Sequence, residues 1–129
     1  MTNYVKANKY FITTPIFYVN AAPHIGHLHS ALLADAQNRF QISLGANDTN
    51  FTTGTDEHGL KIQKAAESLN YSDPQLFCNH VSKQYSSLFS HFGINYSEFI
   101  RTSQDRHKVK KLQLHMQIMD TYDISELGV

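Results

Sequence analysis

Two histidines, His24 and His27, flank a glycine in the run Pro23-His24-Ile25-Gly26-His27. An imidazole N–H donates a hydrogen bond, so such a pair can grip phosphoryl oxygens and stabilise charge developing during transfer. The run follows an aromatic and β-branched segment and opens an apolar-periodic one, which places it at a strand–helix junction. A helix start leaves backbone N–H groups unpaired and carries a partial positive charge, a natural seat for a phosphate. Gly26 has no side chain, so a flat base or a phosphate can approach the backbone there. Two other readings stay open: the histidines cap the helix or simply face solvent, or they join His29 as metal ligands. The metal reading lacks the usual second ligand cluster.

A second polar run, Gly54-Thr55-Asp56-Glu57-His58-Gly59, also follows a candidate strand. Asp56 could pair with a cationic group such as an amino acid's α-ammonium. Glu57 and His58 read most simply as caps for the next helix. The single cysteine, Cys78, excludes an intrachain disulfide and a Cys-rich zinc knuckle, and its apolar neighbours mark it as a small core residue.

The elements that must carry these groups follow from periodicity. Lys9 to Thr14 reads as a strand ended by Pro15, and Asn20 to Pro23 as a turn. Leu28, Leu32, Ala36, Phe40 and Leu44 recur four apart, with Leu33 beside them, and so predict a helix over Gly26 to Leu44 with this row facing the core. Gly45 is placed to stop it. Thr49 to Thr53 predicts a second short strand, and Gly54 to Gly59 a tight turn. A helix over Leu60 to Leu69 ends at Asn70. A third, capped by Ser72 or Asp73 with Pro74 at its first position, buries Leu76, Phe77, Val81, Tyr85, Leu88, Phe89 and Phe92 and ends at Gly93. Ser97 to Arg101 predicts a third strand, and Thr102 with Asp105 a capping box for a last helix from about Gln104. Alternating strands and helices predict an α/β fold with a parallel sheet and flanking helices, whose ligands bind outside the carboxyl ends of the strands.

Eleven basic residues balance eleven acidic ones over 129 residues, which argues against a dedicated nucleic-acid-coating domain. At 41% hydrophobic and 17% charged, the composition fits a globular protein with one core. Met1 to Lys9 has two lysines and no acid, but lacks the arginines and length of a good transit peptide.

Taken together, the histidine motif, the block Thr13-Thr14-Pro15-Ile16-Phe17-Tyr18-Val19-Asn20 and the block Thr53 to Gly59 resemble the class I aminoacyl-tRNA synthetases, and among them methionyl-tRNA synthetase. Phe99-Ile100-Arg101-Thr102 and Arg106-His107 fit the same pattern. Ala31 to Ala36 and Gly59 to Gln63 look closest to its mitochondrial branch. The resemblance covers about Lys9 to Leu112. It implies a Rossmann-like catalytic fold in which ATP, with Mg2+, activates methionine to methionyl-AMP for transfer to tRNA(Met). It implies that His24 and His27 bind the ATP phosphates and stabilise the transition state, with Gly26 under the adenine. It further implies that Ile16 and Tyr18 line the methionine pocket and that Asp56 holds the substrate ammonium. Ile16 and Tyr18 also have a plainer reading as core residues near the strand end. Localisation in the mitochondrial matrix is implied, with a cytoplasmic form as the alternative, and the sequence shows no zinc-ligand cluster.

Two departures qualify the resemblance. The Lys-Met-Ser-Lys-Ser loop that completes the class I ATP site has no counterpart, and Lys108-Val109-Lys110-Lys111 comes too early to replace it. Residues 113–129 do not follow the family pattern. The expected organisation is therefore 1–112 as the N-terminal part of a catalytic nucleotide-binding domain and 113–129 as a divergent tail, from truncation or an alternative exon. A half sheet of this kind leaves an unpaired strand edge and an exposed apolar face, and the expectation is a chain inactive alone, with doubtful tRNA binding. The alternatives are a non-catalytic splice product and a small nucleotidylyltransferase sharing the His-x-Gly-His helix start.

Overall fold

A computed structural model describes residues 9–121. In chain order it contains β1 (Lys9–Thr13), β2 (Phe17–Tyr18), α1 (Ile25–Ser43), β3 (Asp48–Asp56), α2 (Leu60–Ser68), α3 (Pro74–His91), β4 (Glu98–Arg101) and α4 (Asp105–Thr121). All strand pairs are parallel, with β3 in the centre, β1 and β2 along one edge of it and β4 along the other. The other edge of β1 has no strand partner among the described residues, and Phe11 on it is 67% exposed. None of the described helices is long and apolar enough to cross a membrane.

The β1–β2 line is one interrupted strand. Thr13 pairs with Thr52 and Phe17 with Thr55, so four steps on this line face three on β3. The extra residue is absorbed around Pro15, which has no N–H to give a ladder. On the β1 side of the break Thr14 donates its N–H to the Thr52 carbonyl at 3.3 Å and shares a 2.7 Å hydroxyl contact with Thr53. The short strand β2 was not expected from the sequence; two residues carry too little pattern to show it.

β3 runs three residues beyond the expected Thr49 to Thr53, through Gly54 and Thr55 to Asp56, where a tight turn was expected from Gly54 onward. Gly54 is the reason. A Cβ built there would lie 1.9 Å from the Ile100 carbonyl oxygen, so glycine is required for β4 to lie against β3. Thr53 and Thr55 are buried with their hydroxyls paired, Thr55 to Glu57 Oε1 at 2.8 Å and to Ser82 Oγ at 3.0 Å. Satisfied hydroxyls let a polar run serve as a central strand.

The helix α1 forms as expected but turns the other way. Its buried residues are Leu28, Ala31, Ala34, Asp35 and Asn38. Of the expected core row Leu28 is buried, but the rest is outward, with Leu33 59% and Phe40 54% exposed and Leu32, Ala36 and Leu44 exposed as well. Small residues allow the helix to lie close on the sheet, and the buried Asp35 has partners that fix the rotation. Its carboxylate accepts from Arg39 Nε at 2.6 Å and from the Asn95 backbone N–H at 3.0 Å, while Arg39 donates to the Gly93 carbonyl at 2.7 Å. These bonds tie α1 to the turn before β4.

In α3 Asp73 is the N-cap, its carboxylate accepting from the Gln75 N–H at 2.9 Å, and Pro74 follows at the first position. Phe77, Val81, Tyr85 and Phe89 are buried as expected, whereas Leu76 and Phe92 at the ends are half exposed. Cys78 is buried, and burial pushes its thiol up to about 11. The expected Thr102–Asp105 capping box does not form. Thr102 Oγ1 instead accepts from the Glu57 N–H at 2.9 Å, on the other side of the sheet end.

Candidate active site

The carboxyl ends of β2 and β3 carry the two polar runs, as an open parallel sheet requires. After β2 the chain turns through Asn20 to Pro23 into α1, with His24 as its N-cap in extended conformation (φ −128°, ψ 176°). His24 Nδ1 accepts from the Gly26 N–H at 3.1 Å, and His27 Nδ1 accepts from the His24 N–H at 3.2 Å. The two rings stack with centroids 3.8 Å apart. Gly26 makes this closure feasible: a Cβ there would come within 3.0 Å of the His24 ring.

The pair therefore caps the helix, and the capping has a chemical consequence. An N–H donor occupies Nδ1 on each ring, so each neutral imidazole carries its proton on Nε2. Capping and phosphate binding are thus compatible, since Nδ1 serves the first and Nε2–H is left for the second. Burial, followed by repulsion from His24, lowers the His27 pKa from its ordinary value of 6.5, which favours the neutral form the cap needs.

Asp56 closes β3 opposite Tyr18 of β2 in the strand register. Among the described residues its carboxylate accepts one hydrogen bond, from Thr102 Oγ1 at 3.5 Å. The Tyr18 hydroxyl sits over Gly59, 2.7 Å from where a Cβ would be. Glu57 is not a helix cap: α2 starts at Gly59 with no side-chain cap. Its carboxylate is fully buried and pairs with Arg101 through Nε at 2.7 Å and Nη2 at 3.0 Å, with Thr55 and Ser103 as further donors. Burial alone would raise this carboxyl; the Arg101, Ser103 and Thr55 bonds and the guanidinium charge outweigh it and hold it below its ordinary value. His58 Nε2 lies 3.2 Å from the Thr102 carbonyl.

The structure brings His24, Gly26 and His27 together, and Tyr18 to the same rung as Asp56. Ile16 and Asp56 line different cavities, of about 620 Å³ and 930 Å³, both on the α4 side and both bounded by His107. The paired histidines line neither. Sequence reasoning missed Glu57 and Arg101 as a pair, for want of any local spacing linking residues 44 apart. It also treated Tyr85 only as core, although its hydroxyl reaches His27; a polar-tipped aromatic in an apolar stripe is the available signal.

A three-wide open parallel sheet with flanking helices, and charged and hydrogen-bonding groups gathered at its carboxyl end, defines a Rossmann-like α/β class of fold. The family described as tRNA synthetases class I (M) matches residues 10–127, and the chain belongs to it. It is 50% identical over 105 residues to the mitochondrial methionine–tRNA ligase of Xenopus laevis, covering 81% of this chain and 18% of that protein. The mitochondrial methionine–tRNA ligase of Homo sapiens is 55% identical over 101 residues, covering 77% of this chain and 17% of that protein. The Mycobacterium tuberculosis methionyl-tRNA synthetase, solved in complex with methionyl-adenylate, superposes with a TM-score of 0.72 at 37% identity, over 77% of this chain and 19% of that one. The chain thus spans under a fifth of the length of these relatives.

Proposed function

We propose that this chain is the phosphate-gripping segment of a methionine–tRNA ligase. In that reaction the methionine carboxylate attacks the α-phosphorus of ATP, pyrophosphate leaves, and methionyl-AMP passes its acyl group to tRNA(Met). The observation that carries the reading is the reciprocal cap of His24 and His27, which leaves two Nε2–H donors at a helix start. Donors already in place for charge that develops in the transition state need no reorganisation at the moment of reaction. Gly26 offers the bare backbone on which the adenine packs. Mg2+ would arrive as part of the nucleotide substrate.

In this reading Asp56 is the counter-ion of the methionine ammonium, and Tyr18, one rung across, presents an aromatic wall to the thioether. Ile16, 46% exposed at the mouth of the neighbouring cavity, is the apolar contact completed when substrate binds. We read residues 1–112 as the N-terminal part of the catalytic domain; α4 and the family match to residues 10–127 both run past that boundary into 113–129. The mitochondrial methionine–tRNA ligases among the relatives support a mitochondrial setting. The small nucleotidylyltransferase alternative loses its ground to the family match.

The test is a mitochondrial methionine–tRNA ligase whose corresponding segment is replaced by residues 10–112. Methionine-dependent ATP–pyrophosphate exchange that survives the replacement and disappears with His24→Ala and His27→Ala supports the reading. Exchange indifferent to both substitutions sinks it.

A further inference from the structure

We infer that Thr102 is a positioning residue for Asp56: it clamps the end of β3 around that residue and, through its hydroxyl, orients the carboxylate. The functional side of this rests on the ammonium-holding role proposed above for Asp56; the clamp itself stands on hydrogen bonding.

Consecutive residues at the end of β3 all meet Thr102. Its backbone N–H donates to the Thr55 carbonyl at 3.1 Å, and its Oγ1 accepts from the Glu57 N–H at 2.9 Å. Its carbonyl accepts from His58 Nε2 at 3.2 Å, which places that ring's proton on Nε2 because a carbonyl cannot donate. The backbone is thus held on both sides of Asp56. Across the strand the Asp56 carbonyl accepts from the Val19 N–H at 3.3 Å, so its main chain is pinned between β2 and the turn after β4.

The side chain of Thr102 adds an orienting bond. A hydroxyl that accepts from an N–H still has its own proton to place, and Thr102 is 7% exposed, which leaves little room for solvent. Its acceptor is Asp56 Oδ1 at 3.5 Å, a long bond whose direction is fixed, since a carboxylate only accepts. Among the described residues this is the one hydrogen bond of the Asp56 carboxylate, so Oδ2 is left for a ligand. Asp56, His58 and Thr102 line the same cavity of about 930 Å³. A valine has nearly the shape of threonine and keeps its backbone bonds. What it removes is the hydroxyl, and with it the acceptor for Glu57 N–H and the donor to Asp56.

The experiment uses the chimeric ligase carrying residues 10–112 and compares methionine with 4-(methylthio)butanoate, the same molecule without its ammonium. Pyrophosphate exchange gives KM for methionine and for ATP, and inhibition by the analogue gives its affinity. Thr102→Val should raise the methionine KM about threefold to tenfold, the scale of one hydrogen bond, and leave the ATP KM and the analogue's affinity unchanged. Thr102→Ser, which keeps the hydroxyl, should discriminate as wild type does. In an Asp56→Asn background Thr102→Val should cost no further methionine affinity, because the group it acts through is gone. Should Thr102→Val fail to fold, Thr102→Cys, which keeps the volume but is a weak donor, carries the same comparison. Wild-type discrimination in the folded variant overturns the inference, and so does a common rise in all three constants, which marks a loosened site. Undiminished preference for methionine in Asp56→Asn itself overturns the ammonium role instead and leaves the clamp standing.

Discussion

Glu57 and Arg101 meet through two hydrogen bonds at the end of the sheet, the carboxylate wholly buried and the guanidinium 21% exposed. Arg101 also donates to Asn79 on α3 at 2.6 Å, so the pair binds β3, β4 and α3 at one point. It lies immediately after Asp56 in sequence and fixes the backbone from which that carboxylate projects.

Glu57→Gln should destabilise the fold by about 3 kcal/mol, because it leaves a largely buried guanidinium without its counter-charge. Urea denaturation measures this. The acid limb should change too. A carboxyl held below its ordinary value of 4.5 contributes stability that is present above that value and lost as pH falls through the folded-state value. Wild type should therefore lose stability below about pH 4.5 more steeply than Glu57→Gln, and parallel acid limbs would contradict the pairing.

Gly54→Ala should cost about 3 kcal/mol or prevent folding, since the new methyl meets the Ile100 backbone and not a movable side chain. A thermal melt unchanged from wild type would show that β4 does not approach β3 as closely as described.

His27→Ala should separate stability from chemistry. Losing one cap costs about 1 kcal/mol, while losing one donor to a developing charge costs about a hundredfold to a thousandfold in rate. Calorimetry and pyrophosphate exchange in the chimeric ligase read the two effects. The pH sign is set by the lowered pKa. The charged imidazole is disfavoured in the folded state, so His27 subtracts nothing above its ordinary 6.5 and subtracts increasingly as pH falls toward the folded-state value. His27→Ala should flatten that part of the stability profile.

Cys78 should resist thiol reagents at pH 8 in the native protein and react only as the chain opens. Labelling followed against urea concentration should track the unfolding curve. Full labelling in the absence of denaturant would place the thiol at the surface.

The sequence carried the elements better than their faces. Helix limits were visible in Pro74, Asp73 and Gly93, because caps are chemistry at fixed offsets, and the last of these takes a left-handed conformation (φ 64°). The histidine motif was legible as a cluster for the same reason: it lies within one helical turn. β3 was cut short at Thr53 because Gly54 to Asp56 reads as a polar turn, and only the partners of the Thr53 and Thr55 hydroxyls show why such a run can be buried. Glu57–Arg101 and His27–Tyr85 join residues far apart in the chain, which no local pattern reports.

The rotation of α1 misled for a different reason. Most of its apolar row faces outward, and beyond Leu28 its inner face is made of alanines and buried polar groups. Greasiness and burial have come apart on one helix, so two kinds of selection should draw on opposite sides of it. A library screened for resistance to heat should be intolerant at Ala31, Ala34 and Asp35. One screened for yield of soluble protein should accumulate its changes at Leu33, Phe40 and Leu44, where polar substitution removes adhesive surface and leaves the sheet contact intact.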